Sequence, residues 1–460
     1  MIAAKPEEKI PSAQPAGGQD RGAEPRLNSS LKVAISSSFM LRMAGAMTGF
    51  MLQLYLKQVV HADANLIGTL AGVYYITELL LAPIFGALSD LRGRKPFLVL
   101  GPLAGALAVQ IHPLTTVAAI IAIGRLLEGV ATAANAPGTL GYLADATSGT
   151  GPRASRFRGR VMGMYEISFL VGLATGQFLG GYVWEWLGPN GFRIISLIYL
   201  AAAAVLFLFV PETLPAAARE HYGKDREAAR EAAHPVRTLL ASRLKSYAQL
   251  LREPALRSFV PAWLAVNAVL GLWLNHLAAV MVVSAPGAPP SPFPDQLLAG
   301  HLTPHQVSIT QGCFALTFLV GIFVWSQLYG RIRRTTMMLA SVVGLFLVAF
   351  SLWGINNNIV PGPWGQWPLV LVLVLGVLLE SGFTPVALAY LADISETRVE
   401  HRGAVMGLYS VFLGVGQFVG SAAGGLFIVG LGFNGLLVGT SILGVVALVA
   451  VLYLRVRHGV

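Results

Sequence analysis

The sequence predicts an all-α integral membrane protein whose twelve transmembrane helices form two six-helix bundles, related by a pseudo-twofold axis along the membrane normal. Three observations lead to this prediction: the composition, twelve long apolar stretches and an internal repeat. Of the 460 residues, 55% are hydrophobic and 12% are charged, whereas a soluble domain has about 25% charged residues. Lipid is therefore the expected solvent for most of the chain.

Each apolar stretch is long enough to cross a bilayer, which takes about 20 helical residues. The stretches are continuous rather than alternating with a period of two, so a β-barrel is not expected. The predicted spans are residues 31–56, 64–89, 96–113, 115–146, 160–187, 191–211, 258–283, 303–329, 335–355, 368–393, 403–430 and 434–455.

The hydrophilic segments divide the chain into domains. Residues 1–30 mix charges with Pro, Gly and Ala and lack the apolar core of a signal peptide, so they are predicted to be a disordered cytoplasmic tail. Residues 31–211 then form an N-terminal bundle and residues 258–456 a C-terminal bundle. Residues 212–257 are the predicted cytoplasmic linker between them.

The positive charges predict the orientation. If both termini are cytoplasmic, nearly all of the 32 Lys and Arg residues lie in inside segments, and only Lys57 and Arg193 would lie outside. An excess of Lys and Arg marks the cytoplasmic side. We therefore expect both termini inside, in a plasma membrane or in the inner membrane of a Gram-negative cell.

Several classes of protein are disfavoured. The net charge is +10, but Lys and Arg punctuate apolar runs instead of forming one basic face, which argues against nucleic-acid binding. Cys313 is the single cysteine, and no residue spacing is typical of a metal site, a phosphate-binding loop or a nucleophile with its base. We expect a monomer with no cofactor, no metal and no enzymatic activity.

An internal repeat relates the two halves. Residues 158–165 (RGRVMGMY) match residues 402–409 (RGAVMGLY). The register carries on without gaps through a set of glycines: Gly172, Gly176 and Gly180 match Gly416, Gly420 and Gly424. Because they are four residues apart, these glycines share a helix face and allow close helix packing. They either serve packing alone or let the fifth and eleventh helices slide past partners in the other half.

The loop between the second and third spans carries a recognisable motif. Residues 86–96 read GALSDLRGRKP, which resembles the signature loop of the major facilitator superfamily, G-x-L-x-D-x-x-G-R-[RK]. A second copy at residues 329–334 lacks the acidic residue. The resemblance implies a transporter that works by alternating access. It also implies that Asp90 and Arg94 belong to a cytoplasmic latch, for which Asp145 is our candidate partner; the alternative is that these charges only set topology.

Two further motifs are closest to the drug-exporter-like branch of that superfamily. Residues 124–129 (GRLLEG) resemble an R-x-x-x-G motif that is associated with coupling in proton-linked exporters. Gly172, Gly176, Gly180 and Gly181 match the antiporter motif, except that Gln177 replaces its proline.

Ionisable residues at membrane depth are costly and therefore functional candidates. Counting inward from the helix ends places five near mid-depth: Arg42, Glu78, Arg125, Glu128 and Glu380. A carboxylate removed from water can bind and release a proton near neutral pH, so Glu128 with Arg125 is the leading coupling candidate, followed by Glu78 and Glu380. Arg125 and Glu128, three residues apart, could instead form a purely structural pair.

Polar residues in the spans are candidates for a substrate cavity. They are Arg42, Gln53, Asn267, His276 and Gln417, although such side chains also hydrogen-bond between helices. Three functions remain open: a proton-coupled exporter of lipophilic or amphipathic small molecules, a symporter or facilitator of a metabolite or organic anion, and a non-transporting receptor or assembly protein. The exporter fits the motifs and buried glutamates best, with the lipid bilayer, a small molecule and protons as partners.

Overall fold

A computed structural model describes residues 27–147, 152–213, 251–284, 291–328, 331–362, 364–396 and 402–458. Within these ranges the side chains of residues 87, 90, 91, 152–155, 392–396, 402–410 and 458 are not described. The side chain of Asp90, most of the predicted tail and linker, and part of the second motif copy therefore lie outside the description.

The described residues are almost entirely helical. Their α-helices are α1 Ser29–Gln58, α2 Ala64–Arg92, α3 Lys95–Ile111, α4 Ala118–Ala146, α5 Pro152–Leu187, α6 Gly191–Phe209, α7 Pro254–Met281, α8 Pro304–Leu328, α9 Arg334–Asn356, α10 Trp367–Glu380, α11 Phe383–Glu396, α12 Arg402–Leu431 and α13 Phe433–His458. Short 3₁₀ turns, His112–Leu114 and Gly188–Asn190, connect α3 to α4 and α5 to α6.

Ten helical runs of the described residues are long and apolar enough to cross a membrane. One run, Arg156–Phe209, joins most of α5 to α6, and another, Trp367–Leu391, joins α10 to the first part of α11. Helix α1 is not among the ten; it carries Arg42 and three consecutive serines, which lower its hydropathy. The twelve predicted spans correspond to α1 to α9, the α10–α11 pair, α12 and α13.

The tenth span differs from the prediction, because it is not one continuous helix. It breaks at Ser381 and Gly382, and Ser and Gly are common residues at helix kinks. Trp325 of α8 occupies the break: its indole Nε1 donates to the carbonyl of Leu378 at 2.8 Å, and a Cβ on Gly382 would lie 2.6 Å from its ring. The indole thus satisfies a carbonyl at a break in the lipid-embedded helix.

Local sequence explains how the first helices begin and turn. The side chains of Asn28 and Asp63 accept hydrogen bonds from the amides of Leu31 and Leu66, at 2.8 and 2.7 Å, and cap α1 and α2. Gly93 joins α2 to α3 with φ of +105°, a conformation that favours glycine. The resulting tight turn keeps the ends of α2 and α3 together.

The helices pack most extensively within each half. Helix α1 packs on α5 and α6, and α4 on α2 and α3; in the second half α7 packs on α12 and α13, and α9 on α10 and α13. The main contacts between halves are α2 with α12 and α5 with α8. The internal repeat relates these two contacts to each other.

The apolar clusters show where the halves are joined. We call the end where α1 finishes and α2 begins the outer end, following the charge pattern. There, one cluster unites residues of both halves, including Phe50, Trp184, Leu272 and Phe433. Two other clusters each stay within one half. Among the described residues, the shared core therefore lies at the outer end.

Candidate functional site

A cluster of three ionisable side chains is buried inside the first half. Arg125 Nη1 donates to one carboxylate oxygen of Glu128, and His112 Nε2 is hydrogen-bonded to the other. Arg125 and Glu128 are 6% and 8% exposed, and His112 is fully buried. Both oxygens of this carboxylate are therefore held by nitrogen groups away from water.

The neighbours of Arg125 fix its position. Its Nε donates to the carbonyl of Leu70 at 3.2 Å, and its guanidinium lies 4.7 Å from the centre of the Tyr74 ring, close enough for a cation–π interaction. Gly129 permits this approach of α2 to α4, since a Cβ there would lie 2.6 Å from Thr77 and 2.8 Å from the carbonyl of Tyr74.

A second charged group surrounds Arg42 of α1. Its guanidinium lies 3.9 Å from the centre of the Phe169 ring, and it is close enough to Glu78 of α2 and Glu166 of α5 to interact with both electrostatically. Arg42 and Glu78 are half-buried, whereas Glu166 is exposed. Two carboxylates thus accompany one cation beside aromatic rings.

Gln53 of α1 connects the two halves near the outer end. Its amide nitrogen donates to the carbonyl of Leu274 at 2.8 Å, and its oxygen accepts from the amides of Ala278 and Ala279 at 3.1 and 3.4 Å. The Gln53 side chain therefore bonds directly to the backbone of α7.

Three more polar contacts join the halves on this side. Asn275 Nδ2 donates to the Tyr75 hydroxyl at 3.1 Å, Gln58 Nε2 donates to the carbonyl of Val283 at 2.9 Å, and His305 Nδ1 lies 2.7 Å from each carboxylate oxygen of Glu185. A small pocket behind these contacts has room for about one water molecule. Its lining includes Gln53, Arg125 and Asn275.

The remaining cavity candidates lie mainly within the second half. His276 Nε2 is 2.8 Å from the carbonyl of Ser421, and Asn267 Nδ2 donates to the carbonyl of Trp263 in its own helix at 2.8 Å. Gln417 is 9% exposed. His276 lies at the contact with the first half, where a Cβ on Gly68 would lie 3.1 Å from its ring.

Glu380 lies apart from these groups, at the end of α10 and next to the helix break. It is half-buried and has no hydrogen-bond or ion-pair partner among the described residues. It shares no contact with the Arg125 cluster in the part of the chain that the structure describes.

The motif loop forms a separate cluster at the end of the first half that lies opposite the outer end. Arg94 Nε lies 3.1 Å from Asp145 Oδ2, and Arg94 Nη1 donates to Ser89 Oγ at 2.9 Å. The Glu212 carboxylate accepts from the amides of Arg94 and Lys95 at 2.9 and 3.1 Å, so it binds the positive end of α3. All of these residues belong to the first half or its edge with the linker.

The repeated glycines pack each half internally. A Cβ on Gly172, Gly176 or Gly180 would meet α1, and a Cβ on Gly416, Gly420 or Gly424 would meet α7. The residues that face the other half are the next glycines in the motif, Gly181 and Gly425. A Cβ on Gly181 would meet the carbonyl of Pro304 in α8, and one on Gly425 would meet that of Ala64 in α2, at 2.6 Å.

The Major Facilitator Superfamily matches this chain over residues 34–290 and 277–459. The chain belongs to this superfamily. Its fold agrees with that of the nucleoside transporter NupG, with a TM-score of 0.68, 14% identity and coverage of 94% of this chain and 99% of that one.

Curated relatives of this superfamily member include resistance proteins. "Multidrug resistance protein 2" of Bacillus subtilis is 22% identical over 80% of this chain and 81% of its own length. "Tetracycline resistance protein, class B" of Escherichia coli is 28% identical over 41% of this chain and 45% of its own length. The match to the latter thus spans less than half of that relative. The chain is a multi-pass membrane protein of this superfamily, and it is similar in sequence to proteins named for drug resistance.

The structure adds partners that the sequence did not indicate. No motif of the sequence includes His112, yet it contacts Glu128 from 16 residues away. Glu212 and Asn275 were likewise not predicted to contact Arg94 and Tyr75. Among the described residues no group of three or more His, Cys, Asp or Glu side chains is arranged to hold a metal ion.

Proposed function

We propose that this chain is a proton-coupled exporter of lipophilic or amphipathic small molecules. It works as a monomer by alternating access between bundles 31–211 and 258–456, joined by the linker 212–257. Both termini are cytoplasmic, in the plasma membrane or a Gram-negative inner membrane. The observation that carries this proposal is the burial of Glu128 between Arg125 and His112.

Glu128 is the proton carrier in this proposal. While it is ionised, its charge neutralises Arg125, and the pair tolerates burial. Protonation of Glu128 removes that compensation and leaves Arg125 as an unpaired cation, which is costly away from water. Arg125 lines the pocket at the contact between halves, so the protonated cluster favours a rearrangement of that contact. Proton binding is thereby linked to a change of access.

The surroundings of Arg42 support a cationic or neutral substrate over an anion. Arg42 is already accompanied by Glu78 and Glu166 and lies on Phe169, while Arg125 is bound to Glu128. Two carboxylates and aromatic rings attract an amphipathic cation, and they repel an organic anion. The observation therefore counts against the alternative of an anion symporter.

Export is the direction that the relatives support, because those most similar in sequence include proteins named for drug resistance. The closed outer end and the separate cores below it fit an inward-facing state, from which cytoplasmic substrate would be loaded. The cluster of Arg94, Asp145 and Ser89, with Asp90 near the end of α2, is the proposed latch that holds the cytoplasmic end shut in the opposite state.

Reconstitution in proteoliposomes tests the proposal. With an imposed pH gradient, ethidium as a cationic probe should move against its concentration gradient and release protons, whereas an anionic dye should not. Glu128→Gln should abolish gradient-driven movement and spare passive exchange, while Asp295→Asn, which neutralises an exposed loop carboxylate, should leave both unchanged. Gradient-driven movement at the wild-type rate in Glu128→Gln would remove Glu128 as the carrier and make Glu78 and Glu380 the next to replace. Ethidium flux without proton movement would favour the facilitator alternative. Absence of flux for every compound tested would favour the receptor alternative.

A further inference from the structure

His112 is a buried titratable side chain that none of the sequence motifs includes. It follows α3 directly, in a 3₁₀ turn that leads towards the exposed residues Leu114 and Val117 at the outer end. Its Nε2 is bonded to Glu128, and its Nδ1 is buried without a hydrogen-bond partner among the described residues. Buried polar atoms without partners are rare in proteins, so the unpartnered Nδ1 of His112 requires an explanation.

We propose that His112 is a second proton-binding residue of this site, and that the transported proton is shared between His112 and Glu128. This inference rests on the proposed function only where it assumes that the shared proton is the coupled one. In this proposal, Nδ1 of His112 is the atom at which the cluster accepts its proton.

The proton balance is simple. In the resting cluster Arg125 is cationic, Glu128 is anionic, and His112 is neutral with its hydrogen on Nε2. One proton taken up by Nδ1 makes an imidazolium. Transfer of the Nε2 hydrogen to the Glu128 carboxylate then leaves a neutral acid beside a neutral imidazole with its hydrogen on Nδ1. The cluster gains one proton and no other bond changes.

The packing around His112 holds the imidazole in line with the carboxylate. A Cβ on Gly124 would lie 2.7 Å from Cε1 of His112, so the glycine leaves the space that the ring needs. Phe192 of α6 forms the other wall, with its ring centre 5.8 Å from that of the imidazole. These contacts restrict the ring without occupying Nδ1.

The other titratable groups near this site come from four helices, and one of them is Tyr74 of α2, whose ring lies against Arg125. Arg125 and Glu128 lie on α4, and Tyr199 of α6 is close enough to Glu128 to interact electrostatically. Tyr55 of α1 donates from its hydroxyl to the carbonyl of Thr115 at 2.8 Å, just beyond the turn that contains His112. Arg125 and Glu128 are the only two of these that carry charge at neutral pH in the resting cluster, so one added proton changes the net charge of the site from zero to +1.

A donor without a titratable nitrogen would have satisfied Glu128 equally well. Gln at position 112 can donate one hydrogen bond to the carboxylate but cannot bind a proton at neutral pH. His112→Gln therefore separates the two roles. If His112 shares the proton, this variant should keep its fold and passive ethidium exchange, and its pH profile of gradient-driven transport should move by one pH unit or more. His301→Gln, which replaces an exposed histidine, should retain the wild-type profile.

A measurement without substrate tests the sharing directly. Solid-state ¹⁵N NMR of histidine-labelled protein in lipid should show one histidine, assigned by its loss in His112→Gln, whose titration depends on Glu128. Removing the neighbouring negative charge in Glu128→Gln should change the His112 titration. Identical His112 titration in the wild type and Glu128→Gln would overturn the inference, as would an unshifted transport profile in His112→Gln.

The two proposals can fail separately. If transport proves independent of protons while the His112 titration still follows Glu128, the proposed coupling is wrong and the shared site remains. If Glu128→Gln abolishes coupling but leaves the His112 signal unchanged, Glu128 carries the proton without His112.

Discussion

Gly425 offers the most direct test of the closed outer end. This residue of α12 is where the second half approaches the start of α2: a Cβ at position 425 would lie 2.6 Å from the carbonyl oxygen of Ala64 and 2.6 Å from Cα of Asn65. Both are backbone atoms, so Gly425→Ala can be accommodated only if α2 and α12 separate. Such overpacking typically costs about 1–3 kcal/mol.

This overpacking raises the free energy of one conformation only, the one in which the outer end is closed. The added methyl group meets α2 only while the outer end is closed, and it has free space once the halves separate there. A penalty of about 1–3 kcal/mol on one state changes the ratio of the two states by about 5- to 150-fold in favour of the outward-open form. Gly425→Ala should therefore open the outer side without removing any polar contact.

Labelling kinetics measure this change. Ala71 is 6% exposed and lines the pocket at the contact between halves, so Ala71→Cys in a Cys313→Ser background reports outer access to an impermeant maleimide. The labelling rate should rise by about 5- to 150-fold when Gly425→Ala is added. Gly430→Ala is the matched control, because a Cβ there meets nothing within 4 Å. An unchanged rate in folded Gly425→Ala, or an equal rise in Gly430→Ala, would refute the reasoning.

Three further predictions concern the cytoplasmic end and the orientation. Asp145→Asn should weaken the contact with Arg94 and lower the outward-open population, which would slow the labelling at position 71; unchanged labelling and transport would leave these charges a topological role. Glu212→Gln should lose a charge-assisted cap on α3, lowering the unfolding free energy by about 1 kcal/mol, and a thermal melt in detergent that matches the wild type would contradict this. A cysteine at Ser291 in the Cys313→Ser background should be labelled only from outside, and labelling from the cytoplasmic side would reverse the orientation.

Local sequence predicted those parts of the site that lie within one helix. The i, i+3 spacing of Arg125 and Glu128 places them on one face, and the structure has them bonded. The Arg94 contact with Asp145 was anticipated because the charge pattern placed both residues at the same membrane face. The position of a residue within an apolar run, and the sign of the charges that flank the run, can both be read directly from the sequence.

Contacts between residues that are far apart in the sequence could not be predicted from spacing within one helix. Glu212 lies 118 residues from Arg94, and Gln53 lies 221 residues from Leu274, so periodicity gives no indication of either. His112 could have been suspected, since a histidine at the end of an apolar run near a buried carboxylate is costly without a partner. The break at Ser381 and Gly382 had a local signal in the Ser-Gly pair, but the hydropathy of the run masked it.

The position of Gln53 has a consequence for how the outer end can separate. Its amide bonds to the carbonyl of Leu274 and the amide of Ala278, which are four residues apart in one helix and are hydrogen-bond partners of each other in an α-helix. When Gln53 withdraws, these two backbone groups can bond to each other, so α7 has no polar group stranded in the hydrocarbon. The connection that Gln53 makes between the halves is therefore reversible, because the backbone groups of α7 that it binds can be satisfied within their own helix.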